Sequence, residues 1–152
     1  MKTLLKISLV ALPAAGVGSL AADTNSAWYR ALRKPSWQPS AMVFPVVWTP
    51  LYGLIAYAGS RAMDRASEPE RRALARDLGG SLLLSAGWSC LFFGTRSPRS
   101  ALGEIAWLNL FNLALVRRAW RVDRGAGLLI APFAVWTLVT TGLNGTVVWL
   151  NR

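Results

Sequence analysis

The chain has 152 residues, of which 53% are hydrophobic and only 16% charged, where a water-soluble domain carries roughly a quarter. It contains no His and one Cys, Cys90, which excludes imidazole acid–base catalysis, Ser-His or Cys-His triads, an intrachain disulfide and any Cys- or His-rich metal centre. The net charge of +10 sits between apolar runs, where cations meet lipid head groups, so no nucleic-acid partner is expected.

Five apolar stretches have about the ~20 residues that a helix needs to cross ~30 Å of hydrocarbon. They predict an all-α integral membrane bundle of five transmembrane helices in a single domain over residues 1–152. The spans are read at 4–22, 42–63, 78–95, 101–120 and 126–149, with a loop at 23–41. In the first stretch, Lys2 and Lys6 precede an apolar core and Ser19-Leu20-Ala21-Ala22. On these residues alone, a secretory signal peptide and a retained helix with Gly16 and Gly18 at packing positions stand level. Pro45 and Pro50 are expected to interrupt the second span, each removing a helix hydrogen bond.

Ser67-Glu68-Pro69-Glu70 has the spacing of a capping box, so a helix is expected to start near Ser67 and run into the third span. Ser97-Pro98 marks the break before the fourth span, Gly125 and Gly127 the break before the fifth, and Pro132 bends the fifth. Eleven Lys and Arg fall at the N-terminus and in the second and fourth loops, against six on the other side. That bias places the N-terminus inside and the first loop and C-terminus outside.

Eight Trp is a high count. Trp28, Trp37 and Trp149 sit at span ends and read as an interfacial belt. Trp48, Trp88, Trp107 and Trp136 lie within apolar runs, where a buried indole N–H needs an acceptor. They read either as interhelical packing or as the wall of a cavity. Helical spacing puts Trp48 and Tyr52 on one face, Ser81, Ser85 and Trp88 on another, and Trp136, Thr140 and Asn144 on a third. Converging, these stripes make a mostly apolar pocket for a flat aromatic ligand; as ordinary packing they make polar interhelical contacts. Glu104, the one acid in an apolar run, reads as a shallow carboxylate that snorkels or pairs with a loop Arg, with an intramembrane role as the alternative.

The stretch Trp28–Tyr52, WYRALRKPSWQPSAMVFPVVWTPLY, closely resembles the first loop and second helix of the TspO/MBR family, the tryptophan-rich sensory proteins related to the mitochondrial translocator protein. Trp88-Ser89 with Leu91-Phe92-Phe93-Gly94, and Ala126–Leu129, Pro132-Phe133, Trp136 and Leu143-Asn144, fit the third and fifth helices. The resemblance implies a five-helix transmembrane bundle, often a homodimer, with a pocket beneath the first loop. It implies binding of porphyrins and drug-like hydrophobic molecules, and it favours a retained first helix. Tyr29, Trp48, Ser85, Trp136 and Thr140 match the family's pocket positions, and Trp48 and Trp136 match tryptophans tied to porphyrin chemistry.

There are departures from the family pattern. Ser85 stands where Asn is common, Ser81 where Gln is common, and Ser40 where a second Pro follows Pro39. The C-terminal segment lacks the Tyr of the proposed cholesterol motif, so cholesterol binding is not expected.

The leading expectation is a multi-pass membrane receptor or transport protein with a porphyrin as ligand and no required cofactor or metal. Its ligand-binding residues are Tyr29, Trp48, Tyr52, Ser85, Trp88, Trp136, Thr140 and Asn144. Arg30, Arg33 and Lys34 in the lid would meet ligand carboxylates. The alternatives are light-dependent porphyrin breakdown using Trp48 and Trp136, and a regulatory role through partners. The bacterial inner membrane is the expected location, with the outer membrane left open.

Overall fold

The computed structural model describes residues 2–152, with side chains throughout except at positions 2–6 and 10. Met1 and the side chains of Lys2 and Lys6, on which part of the orientation argument falls, lie outside the described residues. Among the described residues six α-helices follow one another: α1 (Lys2–Ala21), the short α2 (Ala27–Ala31), α3 (Val43–Arg65), α4 (Glu68–Ser89), α5 (Pro98–Val122) and α6 (Arg124–Leu150). Among the described residues there is no strand. The long helices have 20, 23, 22, 25 and 27 residues, which at ~1.5 Å per residue is about 30–40 Å each.

By length and composition, α3 and α6 pass as candidate membrane spans among the described residues. The charged first turns of α4 (Glu68 to Asp77) and the Arg-rich end of α5 (Arg117, Arg118, Arg121) lower their mean hydropathy. All five long helices nevertheless turn large apolar side chains outward, among them Leu12, Val46, Leu83, Leu113 and Leu138. So wide an apolar exterior is what lipid, rather than water, solvates.

The helix boundaries follow from local chemistry. The Ser67 N–H and Oγ both donate to the Glu70 carboxylate at the start of α4, the reciprocal half of the expected capping box. Ser97 caps α5 by accepting from the Ser100 N–H, with Pro98 as first residue. Two expectations need correction. Pro45 is the third residue of α3, where its missing N–H would have had no helical partner, so only Pro50 lies inside that helix. Gly125 and Gly127 do not break the chain: Asp123 caps α6, and both glycines lie in its first turn. A Cβ at Gly127 would come within 2.8 Å of the Trp120 Cα, so this Gly permits the tight α5–α6 reversal.

The buried core has two clusters, a smaller one that gathers Tyr29, Trp88, Phe92, Ile105, Leu108 and Val147, and a larger one shared by the long helices. Ile7, Ala11 and Ala14 of α1 pack with Ile55, Ala58 and Ala62 of α3, Leu74, Leu78 and Leu82 of α4, and Ile130 and Phe133 of α6. Between α5 and α6, the Asn112 amide donates to Thr137 and that of Asn109 to Thr141, polar rungs of a kind that join membrane helices. At one end of the bundle, Asp123 receives Arg61 (2.7 Å) and Arg65 (3.2 Å), and Asp77 receives Arg76 (2.9 Å) and Arg118 (2.7 Å). These pairs tie α3 to the α5–α6 turn and α4 to α5. Glu104 departs from its expectation: both carboxylate oxygens are inaccessible and pair with no loop Arg, and the side chain lies against Gly87 of α4.

Candidate ligand-binding site

At the opposite end, the loop carrying α2 folds over the helices and roofs a partly open cavity of about 260 Å³. Ser26 starts α2 by accepting from the Tyr29 N–H, and Trp28 and Tyr29 lie against the segment that follows α4. Trp28 meets Phe92 edge-on at 5.8 Å and Tyr29 leans on Phe93 at 5.4 Å. The loop is pinned from two directions. Gln38 Nε2 donates to the Tyr29 hydroxyl at 2.8 Å. The Asn151 side chain, just past α6, accepts from the Arg33 N–H at 3.0 Å and donates to the Arg33 carbonyl at 2.8 Å.

Two aromatic clusters border the cavity. From α3 and α6, Trp48 stacks on Tyr52 at 5.7 Å and meets Phe133 and Trp136 edge-on. From α4, Trp88 stacks on Phe92 at 5.2 Å, with Phe93 edge-on to both. The Trp88 indole N–H donates to Asn144 Oδ1 at 3.0 Å, and the Asn144 amide donates onward to the Pro98 carbonyl at 2.8 Å. Asn144 thus joins α4, α5 and α6 at the cavity floor, and the buried indole has its acceptor.

Of the residues singled out from sequence, Tyr29, Trp48, Tyr52, Trp88, Thr140 and Asn144 line this cavity. Ser85 and Trp136 stand behind the lining. The buried Ser85 hydroxyl donates to the Ser81 carbonyl, and Trp136 packs edge-on against Trp48 and Phe44, its indole N–H without a partner. Trp107 belongs to neither cluster; it is 63% exposed on the outer face of α5.

The structure adds residues that sequence spacing missed. Phe92 and Phe93 fall in a π-helical turn, Cys90–Gly94, continuous with α4, and such turns recur at functional sites. Gly18 and Ser19 bring α1 to the cavity wall. Lys34 is the lining cation, and no acid lines the cavity among the described residues. Its ammonium donates to the carbonyls of Tyr29 and Leu32 and lies 4.4 Å from the centre of the Tyr29 ring. One of its three N–H bonds stays free. Arg30 and Arg33 are exposed and do not line the cavity. Burial pushes the Tyr29 phenol above its usual pKa, partly offset by the Gln38 hydrogen bond, so it is a neutral hydrogen-bonding group at neutral pH.

The chain is similar in sequence to known proteins over nearly its whole length. The family model described as TspO/MBR family matches residues 7–150. A tryptophan-rich sensory protein of Cereibacter sphaeroides is 35% identical over 82% of this chain and 77% of its own length. Protein CrtK of Rhodobacter capsulatus is 33% identical over 98% of this chain and 93% of its own. The human translocator protein is 31% identical over 77% of this chain and 70% of its own.

Proposed function

The chain belongs to the TspO/MBR family of membrane proteins, and on that premise we propose that it is a receptor or carrier for porphyrin-type tetrapyrroles, held in the cavity beneath the lid. The observation that carries this reading is the lining: two aromatic clusters, one cation and no anion. Trp48 and Trp88 offer ring faces and edges to a flat π-system. The free N–H of Lys34 suits a carboxylate, and Tyr29 and Thr140 supply hydroxyls. The cavity is slightly under the roughly 300–1,000 Å³ of small-molecule sites, so a macrocycle enters only when the lid swings away.

In this reading α1, α3, α4, α5 and α6 all cross the bilayer, with α1 retained as part of the bundle. The outward apolar residues on each helix support this, as does the burial of Ile7, Ala11 and Ala14 in the core. The Arg-rich end faces the inside of a bacterial inner membrane, in keeping with the charge bias, and the lid faces outward.

A dark titration of the detergent-solubilised protein with protoporphyrin IX, read by the Soret shift, tests the proposal. Saturable micromolar binding is expected, weakened roughly 2–10-fold by Trp48→Phe and by Trp88→Phe. Binding that never saturates, or that neither substitution changes, refutes it. Light-dependent breakdown of the bound pigment is a second reading, favoured by the 6.5 Å edge contact between Trp48 and Trp136. It requires Trp136→Phe to abolish product formation under illumination while dark binding persists.

A further inference from the structure

The Arg-rich end carries more charge than its internal pairs consume. Nine Arg (61, 65, 71, 72, 76, 117, 118, 121 and 124) share it with five acids, Asp64, Glu68, Glu70, Asp77 and Asp123. Asp123 is committed to Arg61 and Arg65, Asp77 to Arg76 and Arg118, and Glu68 to Arg71. Glu70 is held in the α4 cap. Arg117 and Arg121, one helical turn apart on α5, have no carboxylate partner among the described residues, and both are exposed.

Beneath them, toward the middle of the bundle, the same face of α5 presents Leu110 and Leu113, 58% and 65% exposed, with Ala114 next on the side of the arginines. Together with Arg118 these residues border one shallow groove. It is cationic at the membrane-surface end and apolar below.

We propose that this groove binds an anionic phospholipid, its head-group phosphate held by Arg117 and Arg121 and an acyl chain laid over Leu110, Leu113 and Ala114. The inference rests on α5 spanning the bilayer and not on what the lid cavity binds. The guanidinium fork matches phosphate oxygens in a bidentate manner, and weak hydration lets it act at a partly dry interface. Basic pockets on membrane helices at head-group depth recognise lipid phosphates by this chemistry. The two unpartnered charges of Arg117 and Arg121 disfavour a head group that carries its own cation, so a net-negative lipid is selected over a zwitterionic one. A soluble acidic protein would satisfy the arginines but not the Leu110–Leu113 strip, which lies more than a turn deeper.

The test uses the full chain in detergent, titrated with dioleoyl phosphatidylglycerol or dioleoyl phosphatidylcholine, with retained lipid counted by native mass spectrometry. The intact protein is expected to hold phosphatidylglycerol at least tenfold more tightly. Arg117→Gln with Arg121→Gln is expected to lose that preference, on the order of 30-fold for two surface arginines. Arg117→Lys with Arg121→Lys should keep part of it, because charge remains while the fork is lost. Arg96→Gln with Arg99→Gln, at the lid end, should leave it intact, and porphyrin binding should be unchanged in all three. Equal retention of the two lipids by the intact protein, or an undiminished preference in the Arg117/Arg121 glutamine variant, overturns the site.

Discussion

Asn151 holds the lid through two hydrogen bonds to one residue of the loop, accepting from the Arg33 N–H and donating to its carbonyl. Replacing it with Ala removes both at once. A net hydrogen bond contributes about 0.5–1.5 kcal/mol, and these are solvent-exposed, so the pair contributes about 1–2 kcal/mol to the closed lid. That corresponds to a roughly 5–30-fold rise in the open population. Amide hydrogen exchange in detergent reads it directly, because exchange from an open state scales with that population.

Amides of residues 23–41 are expected to exchange faster by this factor in Asn151→Ala. In Asn151→Asp, which keeps the acceptor and loses the donor, they should exchange faster by about its square root. The last turn of α6 should fray slightly, since Asn151 also donates to the Val147 carbonyl, while α3 and α4 stay protected. Unchanged lid exchange, or acceleration spread through the whole of α6, would refute the clamp.

Other consequences follow from named contacts. Asp77→Asn removes the carboxylate charge and one of the two oxygens that accept from Arg76 and Arg118; because both arginines are substantially exposed, the cost is about 1–3 kcal/mol rather than that of a fully buried pair, seen as a lower Tm in detergent. Arg61 holds the Asp123 carboxyl at about 2, below its usual range. Its contribution to stability is therefore present above the ordinary Asp value near 3.9 and is lost as pH falls toward 2. The Tm advantage of the intact protein over Asp123→Asn should shrink across that window; an advantage that is flat with pH contradicts the assignment. Gly127→Ala should destabilise by about 1–3 kcal/mol, since its Cβ meets the Trp120 backbone. Gly53→Ala, with nothing within 4 Å, should be neutral or slightly stabilising.

α3 and α6 were legible in the sequence because each is apolar over the length of a membrane span, and several helix ends because they carry local chemistry. Ser67 with Glu70 and Ser97 with Pro98 delivered two boundaries within a few residues. Pro45 and Gly127 were misjudged for one reason: the effect of a breaker depends on its distance from the helix start, and the first turn tolerates both. Facing was harder. Trp88 and Trp107 sit in similarly apolar surroundings, yet one is buried on Asn144 and the other faces outward, because a helix apolar all round gives periodicity little to report.

Within the site, the stripes on α3, α4 and α6 brought most of the singled-out residues to one cavity. Ser85 and Trp136 lie on the right helices but one layer back. Phe92 and Phe93 required the π-turn, and the separation of Lys34 from Arg30 and Arg33 required the path of the loop. Neither is written in hydropathy.

The ligand proposed for the lid cavity is a flat tetrapyrrole bearing a carboxylate. The most direct test titrates protoporphyrin IX and its dimethyl ester into the intact protein and into Lys34→Gln. The intact protein is expected to prefer the free acid roughly 10–100-fold, the range of a charge-assisted hydrogen bond, and Lys34→Gln to bind acid and ester alike. Equal binding of the two by the intact protein, or a preference that survives the substitution, would contradict this assignment.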